Sequence, residues 1–283
     1  MIDIAVVQRE FPSLSDLKPL SSLSGQKDVV KARHSSGLVI LKLVKEIAAT
    51  DKRTEREIAA MQKIGGSYIP QIIEAGRKNF AGNEHFYIIE EFIEGETYRE
   101  QLRRQPVQTL PPMLKLADAL LHACSDFEAE SIVHRDIKPE NLIIDLAGKI
   151  WVIDFGLARH LHLRSITPDG LYAGVGTLGY AAPEQFQNIK AEINIRTDLF
   201  AVGVVLYESF SGGNPFTLGL TDPRMVLRKM ETTDLPLLTI PGDLKQEFAR
   251  LISALAQRFP SRRPQSAGEA LDWFAPVLKS LNP

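Results

Sequence analysis

His134-Arg135-Asp136-Ile137-Lys138-Pro139-Glu140-Asn141 is the stretch on which the reading of this chain turns. Thirteen residues beyond Asn141 comes Asp154-Phe155-Gly156, and thirty beyond that aspartate comes Glu184, closing Ala182-Pro183-Glu184. Any one triplet can arise by chance. An eight-residue run followed by two triplets, in this order and at this spacing, is a pattern rather than a coincidence.

The rest of the chain bounds what such a pattern can belong to. Its 283 residues are enough for one large domain and little else, and 44% hydrophobic content suits a globular protein with a sizeable core. A net charge of −2, from 33 basic and 35 acidic residues, gives no support for binding nucleic acid or an anionic membrane. The single cysteine, Cys124, cannot form an internal disulfide and fits a reducing compartment, so a cytoplasmic location is expected. It lies within the apolar run Leu120-Leu121-His122-Ala123-Cys124, which predicts a buried helix position. No run of about 18 apolar residues exists, so no membrane span is expected. Met1-Ile2-Asp3 does not open a signal peptide.

Periodicity places the main elements. Leu38 to Val44 predicts an apolar strand with Lys42 buried in its middle. From Thr54 to Ile64, Glu57, Met61 and Ile64 fall at i, i+4 and i+7 and predict a helix with an acidic residue on its apolar face. A buried lysine and a buried glutamate are each costly alone, so the simplest resolution is that Lys42 and Glu57 meet. His85 to Ile93 predicts a second strand, ended by Glu94-Gly95. The remainder reads as mostly helical, with helices over Pro112 to Ala129, Asp198 to Ser211 and Lys245 to Gln257. Residues 1–16 read as a short extension.

The three motifs resemble the catalytic loop, metal-binding loop and activation-segment anchor of the eukaryotic-like (Hanks-type) serine/threonine protein kinases, in the form bacteria carry. The resemblance covers roughly residues 17–275. It implies an α+β, two-lobed kinase fold. After the extension 1–16 comes a small β-rich N-lobe over 17–91 with one key helix. A hinge over 92–94 then leads to a larger, mainly helical C-lobe over 95–283, with ATP in the cleft.

It also implies roles. A transferred phosphoryl group spreads negative charge, so catalysis is mostly positioning and electrostatic stabilisation. Asp136 would orient the acceptor hydroxyl, Lys138 would neutralise the γ-phosphate, and Thr177 would contact both. Asn141 and Asp154 would supply hard oxygen ligands to Mg²⁺ or Mn²⁺. Lys42, paired with Glu57, would hold the α- and β-phosphates. Gly25, Lys27, Val29, Ile40, Glu90, Glu91, Ile93 and Ile143 would line the nucleotide, with the backbone of Glu91 and Ile93 on adenine. Asp198 would support the catalytic loop, Arg263 would pair with Glu184, and Arg135 would pair a phosphate placed on Thr167, Ser165 or Tyr172. The implied partners are proteins offering a Ser or Thr hydroxyl and a cognate phosphatase. Nothing in the sequence sets an oligomeric state. Lys138 and Thr177 favour Ser/Thr over Tyr acceptors, and Arg135 argues against the aminoglycoside-type kinases, which carry His-Gly-Asp.

The chain also departs from the pattern. Ser22, Ser24 and Lys27 stand at the three glycine positions of the usual phosphate-covering loop, with only Gly25 nearby. Glu90 precedes the hinge where an apolar residue or threonine is usual, and Ile40 is bulkier than the usual alanine. Gly174 to Gly179 matches G-x-G-x-x-G but follows no nucleotide-contacting strand, so it is not read as a phosphate loop. Two readings stay open: an active kinase, favoured by the complete set of Lys42, Glu57, Asp136, Asn141 and Asp154, and a pseudokinase scaffold, favoured by the degenerate loop.

Overall fold

The computed structural model describes residues 3–20, 27–45, 63–64, 68–80, 83–154 and 177–281. The described residues up to Glu94 form one compact unit and those from Gly95 a second.

The first unit is built on a five-stranded antiparallel sheet. In chain order it contains helix α1 (Ile4–Glu10), then β1 (Ser15–Leu20), β2 (Lys27–His34), β3 (Gly37–Lys45), β4 (Ile72–Phe80) and β5 (Asn83–Glu91). The strands lie in the order β1-β2-β3-β5-β4. Strand alternation sorts the side chains of β3 onto two faces. Val39, Leu41 and Leu43 point one way and are fully buried, with Val30, Ala32 and Ile89 of the neighbouring strands. Ile40 and Lys42 point the other way.

Of residues 1–16, expected to be an extension, those described, 3–16, are part of this fold. Asp3 caps α1, its Oδ1 accepting from the Ala5 N–H at 2.9 Å. Val7, Phe11 and Leu14 then pack into the core on the Val39 face of the sheet. Their spacing, i, i+4 and i+7, is a helical signature within a stretch too short to stand out. The Lys78 Nζ donates to the Glu10 carbonyl and sits 4.7 Å from the Phe11 ring centroid, fastening α1 to β4.

The second unit opens with a three-stranded antiparallel sheet, β6 (Gly95–Thr97), β7 (Leu142–Asp145) and β8 (Ile150–Val152), in a region read as mostly helical. Gly95 is required here, because a Cβ would lie 2.2 Å from the Ile144 carbonyl oxygen. Helix α2 (Tyr98–Arg104) starts at a capping box, with Thr97 and Glu100 exchanging hydrogen bonds. Helix α3 (Leu110–Ala129) begins at Pro111-Pro112, whose missing N–H groups cost nothing in a first turn. The short helix α4 (Pro183–Phe186) precedes α5 (Ile195–Ser211), which is buried on nearly every side and ends at Gly212 with φ 82°. Helices α6 (Pro223–Thr232), α7 (Glu247–Leu255) and α8 (Ala267–Leu281) follow. Helix α5 packs between α3 and α7, and α8 lies against α3. At Gly203 a Cβ would stand 2.6 Å from the Ala256 N, so glycine permits the close approach of α5 to the end of α7. Cys124 is wholly buried on α3, where burial pushes its thiol up, away from the reactive thiolate. No helix among the described residues is long and apolar enough to cross a membrane.

If α1 belongs to the sheet core, Phe11→Ala should lower stability by about 3–5 kcal/mol, the usual loss for a buried phenylalanine. Urea denaturation measures this directly. A loss below about 1 kcal/mol would show that α1 is a detachable tail.

Candidate active site

The loop His134–Asn141 is held from below by one carboxylate. Asp198, in the first turn of α5 and fully buried, accepts from the His134 N–H at 2.7 Å and the Arg135 N–H at 2.8 Å. Burial pushes its pKa up to about 7, against the pull of these two backbone bonds. The bonds hold Arg135 in the left-handed region at φ 64°, a conformation an arginine rarely adopts unsupported. Gln185, buried on α4, donates from Nε2 to the Arg135 carbonyl at 2.9 Å and fixes the same residue from its other end. The His134 ring is oriented by two contacts at 3.3 Å: Nδ1 accepts from the Asp136 N–H, and the Ile153 carbonyl lies at Nε2, which places the proton on Nε2.

With its neighbours held, Asp136 becomes the centre of a polar cluster. Its Oδ1 accepts from the Thr177 hydroxyl at 2.9 Å. Its Oδ2 accepts from Asn141 Nδ2 at 2.9 Å and meets Lys138 Nζ at 3.0 Å. Lys138 Nζ also donates to Thr177 Oγ1 at 2.7 Å, and Asn141 Nδ2 to the Asp136 carbonyl at 2.8 Å. The one-turn 3₁₀ helix Pro139–Asn141 turns Asn141 into this cluster. The Ile153 N–H donates to the Asn141 carbonyl at 2.9 Å, which brings Asp154, itself at φ 61°, next to the loop.

A second buried charge pair stands behind Ala182-Pro183-Glu184. Arg263 Nη1 and Nη2 meet Glu184 Oε1 and Oε2 at 2.6 and 3.0 Å. The other donors of Arg263 go to the carbonyls of Gln257 at 2.6 Å, Arg196 at 3.0 Å and Arg258 at 2.9 Å. All five guanidinium N–H groups are thus used. Burial pulls the arginine's pKa down, which the carboxylate opposes. Thr197, one residue before Asp198, donates to Glu184 Oε1 at 3.0 Å and so ties this pair to the support of the loop.

Several residues outside the sequence-derived set organise the same region. Arg99 on α2 donates to Glu140 of the loop and to Glu208 of α5, each at 2.7 Å, and to the Tyr180 hydroxyl. Tyr180 in turn donates to Glu208. Asn214 donates to the Gly179 carbonyl at 3.1 Å. No local signal in the sequence marks this network, because Arg99, Glu140 and Glu208 lie far from Tyr180 in the chain and each reads as a solvated charge.

In the first unit, Lys42 and Glu90 are both buried and meet at 2.5 Å. The sequence paired Lys42 with Glu57, which lies outside the described residues, as do Gly25, Ser165, Thr167 and Tyr172. Ile40 lies directly opposite Glu90, and Val29 directly opposite Lys42, so these four share one face. Lys27 begins β2 opposite Val44. The Glu91 N–H donates to the Gln71 carbonyl at 2.9 Å and the Phe92 N–H to the Leu38 carbonyl at 3.0 Å, while Ile93 is buried. In the second unit Ile143 lies on β7 opposite Trp151.

A model of the protein kinase domain matches residues 24–273. The chain belongs to the protein kinase family. A probable serine/threonine-protein kinase of Clostridium acetobutylicum is 28% identical over 254 residues, which are 88% of this chain and 37% of that protein. The serine/threonine-protein kinase PknL of Mycobacterium tuberculosis is 30% identical over 215 residues, 75% of this chain and 51% of PknL. A serine/threonine-protein kinase of Myxococcus xanthus is 29% identical over 247 residues, 83% of this chain and 28% of that protein. The chain therefore spans between about a quarter and a half of the length of these relatives.

Protein kinases use ATP and a divalent metal, and the donors present suit such an ion. The amide nitrogen of Asn141 is committed to Asp136, which leaves its oxygen as the donor to a metal, and Asp154 adds a carboxylate. Both are hard oxygen ligands. Among the described residues no three His, Cys, Asp or Glu side chains gather as a metal cage. Two such ligands would leave room for phosphate oxygens and water around a divalent ion.

Arg263→Met should lower the stability of this kinase domain by about 3–5 kcal/mol, because Glu184 would be left buried without its counter-charge. Denaturant unfolding reads this. A loss below about 1 kcal/mol would show that Glu184 is relieved by water and that the pair does not hold the segment.

Proposed function

We propose that this chain is an ATP-dependent serine/threonine protein kinase, with Asp136 as the catalytic carboxylate. The observation that carries the proposal is the cluster in which Thr177, Asn141 and Lys138 all bond the Asp136 side chain. A threonine hydroxyl already rests 2.9 Å from Oδ1, the distance and geometry an acceptor Ser or Thr would need. In the transfer, the bond from the γ-phosphorus to the bridging oxygen of ATP breaks and a bond to the acceptor oxygen forms. The acceptor proton passes to Asp136, and ADP leaves with the bridging electrons. A divalent ion, Mg²⁺ in preference to Mn²⁺, would be held by Asn141 and Asp154 and would neutralise phosphate charge.

Lys138 lies within 3.0 Å of Asp136 Oδ2, so its ammonium is placed to meet charge arriving at the transferred group. Lys42 would hold the α- and β-phosphates, and Val29 and Ile40, on the same face of the first unit's sheet, would supply apolar contacts to adenine. The backbone of Glu91 and Ile93 would read the adenine edge, as the resemblance implies; the Glu91 N–H is itself taken by Gln71, so Glu91 would contribute its carbonyl. The substrates would be proteins. The domain limits this reading implies are 17–91, 92–94 and 95–283, with the segment from Asp3 packed into the core of the first.

Asp136→Asn and Asp154→Asn should each lower kcat by at least about 10²-fold, near 2.7 kcal/mol of barrier. The assay is transfer from labelled ATP with Mg²⁺ to a generic basic protein. Purified variants as fast as the unmodified chain would overturn both assignments.

Autophosphorylation is expected on Thr167 first, then Ser165, with Tyr172 last. A phosphate there brings about −1.5 to −2 charge and can order a segment by pairing with an arginine, the role assigned to Arg135. Mass spectrometry of active enzyme should find phosphate between Asp154 and Glu184. Its absence from fully active enzyme would rule the mechanism out.

A further inference from the structure

Glu90 is a charge at the end of an otherwise apolar run. It is the eighth of nine residues of β5, a strand hydrogen-bonded on both sides, to β3 and to β4. Its directly opposed neighbours are Ile40 on β3 and Ile72 on β4, both buried. An ionised carboxylate among isoleucines is unfavourable unless a cation meets it. Lys42 is that cation. It lies opposite Ile88, two residues along β5 from Glu90, so the two charged residues are diagonal neighbours on one face. A diagonal separation of about 7–8 Å between backbone positions is within reach of a lysine and a glutamate. The contact is 2.5 Å, with side-chain exposures of 7% and 11%.

A pair of this kind is a poor means of stabilising a sheet. Replacing a buried ion pair with apolar residues of similar size is often neutral or favourable, whereas removing one partner is costly. In a strand reading Tyr87-Ile88-Ile89-Glu90, an apolar residue would pack here without a desolvation cost. Position matters as well as charge. Both partners project from hydrogen-bonded strands of one sheet, so the lysine is aimed by backbone that cannot rotate away. An ammonium carries three N–H donors, so it can bond a carboxylate and a phosphate oxygen at once.

We propose that Glu90 is a positioning residue: from within the sheet, its carboxylate sets the place of the Lys42 ammonium for the phosphates of a nucleoside triphosphate. This rests on the kinase reading of Lys42 and adds to it a second-strand carboxylate that the motif pattern does not supply. Glu90 acts on nucleotide only through Lys42, so its removal weakens nucleotide binding and leaves the transfer step, run by Asp136 and its neighbours, largely as it was.

The test compares the unmodified chain with Glu90→Gln, Glu90→Asp, Lys42→Met and the Lys42→Met/Glu90→Gln double variant. The readouts are steady-state kcat and KM for ATP with Mg²⁺, the Kd of a fluorescent ATP analogue, and thermal unfolding. Glu90→Gln is expected to raise KM and Kd about three- to tenfold with kcat within about twofold, the split that marks lost ground-state binding. Glu90→Asp, which keeps the charge on a shorter arm, should recover part of the loss. In the Lys42→Met background the Glu90→Gln change should have no further effect on Kd, because the residue it acts through is gone. The double variant, lacking both charges, keeps the comparison available if a single variant folds poorly. Unchanged KM and Kd in Glu90→Gln, a faster enzyme, or an equal effect of Glu90→Gln with and without Lys42 would each overturn the proposal. If instead Lys42→Met leaves Kd and activity untouched, it is the placement of Lys42 at the nucleotide that fails.

Discussion

The arrangement of the site depends on one buried carboxylate. Asp198 has no exposure to solvent and satisfies two consecutive N–H groups of the loop above it. Those groups belong to His134 and Arg135, and the second is in a backbone conformation that has to be imposed. Asp136 is the next residue, so the direction of its side chain follows from how Arg135 is held. The two N–H donors favour the ionised form, in which both oxygens are full carboxylate acceptors. Burial favours the proton, and the loop geometry favours its loss. Gln185 at the far side of Arg135 and Thr197 beside Asp198 then connect the loop to Glu184 and Arg263. The motifs that lie far apart in sequence are joined in the second unit by a short chain of buried hydrogen bonds.

Buried charge is used in this molecule in two ways. Around Glu184, every donor of Arg263 and both carboxylate oxygens have partners, three of them backbone carbonyls from the segment 257–258 and Arg196. Such a site fixes where chain segments lie. Around Asp136 the partners are side chains with chemistry of their own: a hydroxyl, an amide and an ammonium. Arg99 belongs to the first kind, since it ties the catalytic-loop residue Glu140 to Glu208 of α5 and to Tyr180.

What was legible in the sequence follows from where the signal lies. Strands and helices with regular apolar spacing were readable to within a few residues: Leu38–Val44 against Gly37–Lys45, Pro112–Ala129 against Leu110–Ala129, Asp198–Ser211 against Ile195–Ser211. Their starts were placed late because the caps, Thr109 and Asn194, carry no apolar periodicity. Strands of three or four residues, β6 to β8, are too short to show alternation and are defined by their pairing alone. Helix α1 is only seven residues long, too short for its apolar spacing to stand out in the sequence. The contacts of Gln185 and Arg99 are tertiary, with partners 41 to 109 residues away in the chain, and no local pattern encodes them. Glu90 was legible as an anomaly, a charge in an apolar strand before the hinge, and the pairing with Lys42 is its physical explanation.

The surroundings of Asp136 also say what kind of help a phosphoryl transfer receives here. Its carboxylate holds three donors in place before any acceptor is present, so its orientation is already determined. For a loose transition state with little bond formation to the acceptor, placing the hydroxyl in line matters more than drawing off its proton early. A carboxylate oxygen has two lone-pair sites, so Oδ1 can keep the Thr177 hydroxyl and accept a second one beside it. Thr177 is bonded to Lys138 at the same time, so the incoming hydroxyl, the carboxylate and the ammonium are brought to one place by the same short set of bonds. On the proposed reading, that shared geometry is how a rigid loop, itself held by Asp198, becomes a site for chemistry that depends chiefly on position.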